Sequence, residues 1–188
     1  MAFIDVIEPD EAEPSSELAA FYERVGAERG NVANVHRVAS LHPPLAASHL
    51  DLYMSLMYDR EAGLDRRRRE MIAVAVSRAN DCGYCVTHHS EALSKYEDDE
   101  ALVETLGREP TAADLDPADR ALVDFALRLT DEPGAMASTH AEELREHGFD
   151  DEDILAAAAV TSYFNFVNRL NLGLGAELED DEDREYDH

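Results

Sequence analysis

DRRRREMIAVAVSRANDCGYCVTHH, residues 65–89, decides how this chain folds. From Met71 to Val76 it is almost continuously apolar, a composition that suits a buried strand or a buried helix. The polar start at Asp65 and the length of the run select a helix. Asn80 and Asp81 are residues that cap helices, so a second helix is expected to begin there, with Cys82 in its first turn and Cys85 one turn on. On one continuous helix Glu70 would lie about 18 Å from Cys82, at ~1.5 Å per residue, and could not reach it. If the chain reverses at Asn80–Asp81, Glu70 sits roughly 15 Å before the turn and His89 roughly 13 Å after it, so the two become neighbours in a helical hairpin.

Chemistry follows from that hairpin. The unpaired amides and dipole of a helix start stabilise thiolate over thiol, and a CxxC spacing lowers thiol pKa further. His89 lies four residues after Cys85, one turn along the same face, where an imidazole can take or return the thiol's proton. A carboxylate that orients an imidazole, which in turn activates a nucleophile, is a recurrent catalytic design. Glu70 directly precedes the apolar run, which makes it a buried carboxyl; desolvation would raise its pKa and suit it to carry a proton. Cys82, Cys85, His88 and His89 also make up a zinc ligand set by residue type. Against that use, adjacent histidines on a helix point about 100° apart, and structural zinc sites draw ligands from separated knuckles.

The rest of the chain reads as helix from end to end. SSELAAFYERVGAERG (15–30) opens on a serine cap and closes at Gly30. PPLAASHLDLYMSLMYDREAG (43–63) places Leu45, Leu50, Tyr53 and Met57 on one stripe and runs to Gly63. DPADRALVDFALRLT (116–130) has Asp116 as cap and Pro117 at its first position. STHAEELREHG (138–148) and DDEDILAAAAVTSYFNFVNRLNLGLG (150–175) complete the set. No alternating strand with a hairpin turn appears, so the fold is expected to be all-α, a bundle of about seven to eight helices. A single helical domain over 1–175 and an acidic, mobile tail over 176–188 are the expected organisation.

The chain of 188 residues is long enough to bury a core without disulfides, so its two cysteines are not needed as a staple. Its net charge is −26, from 42 acidic against 16 basic residues, with Lys95 the sole lysine. Such a surface repels phosphate backbones and anionic lipid, which excludes nucleic acid and membranes as expected partners, and it resembles the surfaces of proteins from salt-loving organisms. No signal segment or bilayer-spanning stretch is read, and a cytoplasmic, reducing location is expected. Arg66 to Arg69 are expected to serve intramolecular ion pairs. Tyr163, Phe164, Phe166, Asn168 and Arg169 are expected to pack against the hairpin and a neighbouring subunit. His36, His42, His49, His140 and His147 show no metal-ligand spacing and are read as structural or surface groups.

Glu70, Cys82, Cys85 and His89, at this spacing, resemble the alkylhydroperoxidase D-like (AhpD-like) proteins of the carboxymuconolactone decarboxylase superfamily. REMIAVAVSRANDCGYCVTHH (69–89) is similar to the signature of their peroxidase-related branch, and NVANVHRVASLHPPL (31–45) and YFNFVNRLNLGLG (163–175) extend the likeness over most of the chain. The resemblance implies an all-helical homo-oligomer that reduces hydrogen peroxide or organic hydroperoxides without a cofactor or a metal. It makes Cys85 the attacking thiolate, Cys82 the resolving thiol, and His89 with Glu70 the proton relay. An external dithiol, lipoylated or thioredoxin-like, would restore the pair. The family motif has a histidine between the cysteines where this sequence has Tyr84, which hydrogen-bonds but is a poor base near neutral pH; His88 is read as exposed or supporting. The alternatives are a non-catalytic redox sensor or metal-binding interaction module, and a decarboxylase of the namesake type, whose chemistry needs no cysteine pair.

Overall fold

The computed structural model describes residues 2–61 and 63–180. Among them lie nine α-helices and no strand: α1 (Glu17–Arg29), α2 (Asn34–Arg37), α3 (Pro43–Met57), α4 (Arg66–Ala79), α5 (Gly83–Leu93), α6 (Glu100–Arg108), α7 (Pro117–Asp131), α8 (Ser138–Glu146) and α9 (Asp151–Leu174). Eight have nine residues or more, in line with the expected all-α bundle, and α2 is a single turn. No helix among the described residues is long and apolar enough to cross a membrane. The acidic tail beyond Asp180 lies outside the described residues.

Contacts divide the chain into two compact units, residues 54–169 and the segments on either side of them. In the central unit α4 is the axis. Every residue from Arg69 to Ser77 is buried, which is what a helix apolar on all sides demands. It packs chiefly on α5 and α7, with α6 beside them. Met71, Val74 and Ala75 meet Leu93, Val103, Leu106, Ala113 and Val123 in one core. Asp65 caps its start, accepting from the Arg68 amide at 2.9 Å.

The four arginines are spent inside the chain, as expected, though not all on carboxylates. Arg67 and Arg68 both pair with buried Asp119. Arg66 pairs with Glu70. Arg69, itself buried, donates to the carbonyls of Leu64, Leu56 and Asp59. That explains why α3 stops at Met57 and not at Gly63: the carbonyls released past its end are collected by a guanidinium. Gly63 turns the chain with φ +65°, and a Cβ there would meet the Glu152 carbonyl oxygen at 2.7 Å, so only glycine fits.

In the other unit, Ser16 caps α1 and Gly30 closes it with φ 79°. The lead-in is strapped down: Tyr22 Oη donates to the Ile7 carbonyl at 2.7 Å and the Ile7 amide to Ser40 Oγ at 3.0 Å. Asn34 bonds Glu179 through its amide and the Glu177 carbonyl through its side chain. On α3 the buried positions are Ala46, His49, Leu50 and Met57; Leu50 and Met57 lie on the core stripe set by the spacing, whereas Leu45, placed on the same stripe, is 38% exposed. His36 and His49 are both buried with ring centroids 5.6 Å apart. Burial, the neighbouring imidazole and Arg29 push His36 down to about 3, and burial pushes His49 down to about 4.

Candidate active site

The reversal between α4 and α5 occurs where the sequence placed it, but by a different device. Asn80 and Asp81 do not begin α5; they close α4. Asp81 adopts φ 55°, its amide donates to the Arg78 carbonyl at 3.0 Å, and the Cys82 amide reaches back to Ser77 at 2.9 Å. These two bonds form a Schellman closure with an aspartate in the left-handed position usually given to glycine. The signal was present, because Asn and Asp are the residues besides glycine that tolerate this conformation. α5 therefore starts one residue later than read: Cys82 is its N-cap and Cys85 its third residue.

Both thiols are buried and their sulfurs lie 2.7 Å apart, facing each other. The Cys85 thiol, then the Cys85 backbone amide and the Asn168 side chain, lower the Cys82 pKa; burial opposes them, and the net direction is down.

Behind the sulfurs, the hairpin brings Glu70 of α4 to His89 of α5. Glu70 Oε2 is 2.7 Å from His89 Nδ1, and Glu70 Oε1 is 2.7 Å from Arg66 Nε. Burial pushes the Glu70 carboxyl up, but His89 and Arg66 together outweigh it and hold it below its ordinary value. This corrects the expectation of a raised pKa. The 2.7 Å contact at Nδ1 is of the kind that orients an imidazole. The Arg66 guanidinium also donates to the Met57 carbonyl at 3.0 Å and lies 4.2 Å over the Tyr58 ring. Phe164 of α9 meets the His89 ring edge-on, with centroids 4.5 Å apart.

The structure thus unites Glu70, His89, Cys82 and Cys85 on one hairpin. Tyr84 and His88 pair with each other, ring centroids 4.4 Å apart, beside the constellation. Among the described residues no three His, Cys, Asp or Glu side chains converge as metal ligands. Three contributors escaped the sequence reading as site residues: Arg66, Asn80 and Ser77. Arg66 carried a signal, since it stands one helical turn before Glu70 with opposite charge.

The carboxymuconolactone decarboxylase family model matches residues 43–108, the stretch from α3 to α6 that contains all four residues. A peroxidase-related protein with an alkylhydroperoxidase AhpD core from Ralstonia eutropha JMP134 is 31% identical, covers 95% of this chain and 93% of its own, and superposes with a TM-score of 0.85. The chain belongs to the AhpD-like group of the carboxymuconolactone decarboxylase superfamily. Another peroxidase-related AhpD-like relative, from Silicibacter sp. TM1040, is also 31% identical, with coverages of 92% and 90% and a TM-score of 0.80. The debrominase Bmp8 shares the AhpD-like fold at 20% identity, with coverages of 94% and 92% and a TM-score of 0.75, so one scaffold serves more than one activity.

Proposed function

We propose that this AhpD-like protein is a thiol-dependent peroxidase that reduces hydrogen peroxide or organic hydroperoxides through Cys82 and Cys85. The observation that carries the reading is the pair of sulfurs 2.7 Å apart at the start of α5, with the Glu70–His89 pair on the same hairpin. His89, its Nδ1 held by Glu70, takes the Cys85 proton at Nε2. The Cys85 thiolate attacks one peroxide oxygen, the O–O bond breaks, and the departing oxygen takes the proton from His89 as water or alcohol. Cys85 is then a sulfenic acid. The Cys82 thiolate attacks its sulfur, the S–O bond breaks, the departing hydroxide takes a proton from solvent and leaves as water, and a disulfide closes. An external dithiol, lipoylated or thioredoxin-like, returns the pair to two thiols and becomes a disulfide itself. A homo-oligomer fits this reading: Leu155 and Phe166 of α9 are 70% and 42% exposed and supply apolar surface for association.

The test is peroxide consumption coupled to a dithiol, with dimedone trapping of sulfenic acid. Cys85→Ser is expected to abolish turnover, and Cys82→Ser to accumulate a trapped sulfenic acid at Cys85. Undiminished turnover in Cys85→Ser sinks the reading; trapping at Cys82 in Cys85→Ser reverses the roles of the two thiols.

A further inference from the structure

α9 delivers one buried polar side chain to the cysteine turn. Asn168 is fully buried, donates through Nδ2 to Ser77 Oγ at 3.1 Å, and accepts at Oδ1 from Asn80 Nδ2 at 3.0 Å. The same side chain is among the groups that lower the Cys82 pKa, as a hydrogen-bond donor to its sulfur. Its two anchors are the residues that build the reversal: Asn80 ends α4, and Ser77 supplies the carbonyl that receives the Cys82 amide. Asn80 is in turn tied to Asn165 at 3.1 Å, and Asn165 to Thr130 of α7 at 2.9 Å. A buried amide could have been replaced by an apolar side chain of the same volume at little cost unless its polarity served a purpose, because burying polar groups is penalised wherever they are not matched. Here the bonds of Asn168 to Ser77 and Asn80 converge on the turn that carries Cys82.

We propose that Asn168 is a positioning residue of the cysteine pair: from α9 it locks the Ser77–Cys82 turn and so holds the Cys82 sulfur at bonding distance from Cys85. The inference rests on Cys82 and Cys85 acting as a redox pair, and it places the resolving thiolate under the control of a helix distant in sequence. A hydrogen bond from a neutral amide to a charged sulfur is of the stronger kind. Its removal should return the proton to Cys82.

The experiment follows alkylation of the reduced full-length protein by iodoacetamide across pH, with peptide mapping to assign each thiol, in the parent and in Asn168→Leu. The midpoint for Cys82 is expected to rise by about one unit or more in Asn168→Leu. Its alkylation rate at pH 7 is expected to fall only about threefold per unit, because a more basic thiolate is the better nucleophile. Ser77→Ala, which removes one anchor and leaves the amide, should move the midpoint the same way by less, and decides the question if Asn168→Leu does not fold. A merely structural Asn168 would lower the melting temperature and leave the midpoint where it was; an unmoved midpoint in the folded variants overturns the proposal. Because no peroxide is present, a protein without peroxidase turnover that still shows the shift loses the peroxidase reading and keeps this one.

Discussion

Glu70 Oε2 lies 2.7 Å from His89 Nδ1, nineteen positions along the chain, across the α4–α5 hairpin. The carboxylate is fully buried, and Arg66 on its other oxygen offsets the cost of leaving it charged there. Glu70→Gln keeps the shape and removes the charge that orients the imidazole. Peroxide consumption is expected to fall about 10²-fold, the lower end of what a misplaced general base costs. The half-buried Arg66 would lose its counter-charge as well, destabilising the fold by roughly 3 kcal/mol. Steady-state kinetics beside urea denaturation separates the two effects. Parental turnover in a folded Glu70→Gln would remove Glu70 from the mechanism.

Asp119 makes the same kind of demand without any catalytic role. Only 1% exposed, it accepts from Arg67 Nη1 and from Arg68 Nε, the latter at 2.8 Å. Asp119→Ala leaves Arg67 its 2.6 Å pair with Glu97 but Arg68 only a 3.9 Å contact with Asp65, and a loss of roughly 3 kcal/mol is expected. For a chain of this length that corresponds to a melting temperature lower by about 6–12 °C. Thiol alkylation rates should stay at the parental value, since no bond of Asp119 runs to the cysteine turn.

Glycine at position 63 is required twice over, by φ +65° and by the Glu152 carbonyl 2.7 Å from where a Cβ would stand. Gly63→Ala is expected to cost about 1 kcal/mol for the left-handed conformation and more for displacing α9 backbone. Calorimetry of the variant should show a melting temperature reduced by at least about 2–4 °C. No reduction would mean that the loop between α3 and α4 gives way freely.

How far the sequence could be read depended on whether the signal was local. Ser16, Asp65 and Asp116 cap their helices where expected, because capping is decided within one turn. Once the chain reverses at Asn80–Asp81, helical rise alone made Glu70 and His89 neighbours, as their 2.7 Å contact bears out. What escaped needed partners from far along the chain. The charged state of Glu70 is set by Arg66 and His89 against burial, and burial was the only one of these counted beforehand. Asn80 and Asp81 carry the same residue types whether they start a helix or end one, and the backbone decides: Asp81 at φ 55° belongs to the end of α4. On the predicted stripe of α3 Leu50 and Met57 are buried but Leu45 is not, and Ala46 and His49 beside the stripe are buried instead.

His36 and His49 supply a pH dependence whose sign is fixed by their burial. Their folded values of about 3 and about 4 lie below the ordinary 6.5, so the folded chain keeps both rings neutral while the unfolded chain protonates them. Their contribution to stability is complete above pH 6.5 and is lost as pH falls from there toward those values. Each costs about 1.4 kcal/mol per pH unit, so about 2 kcal/mol apiece is expected to be gone at pH 5. Urea unfolding at pH 7.5 and pH 5 reads the difference. In His36→Leu with His49→Leu, apolar rings' worth of volume replaces both titrating groups, and the fall between the two pH values is expected to shrink by about 4 kcal/mol. An equal fall in the parent and the double variant would show that other groups carry the acid sensitivity.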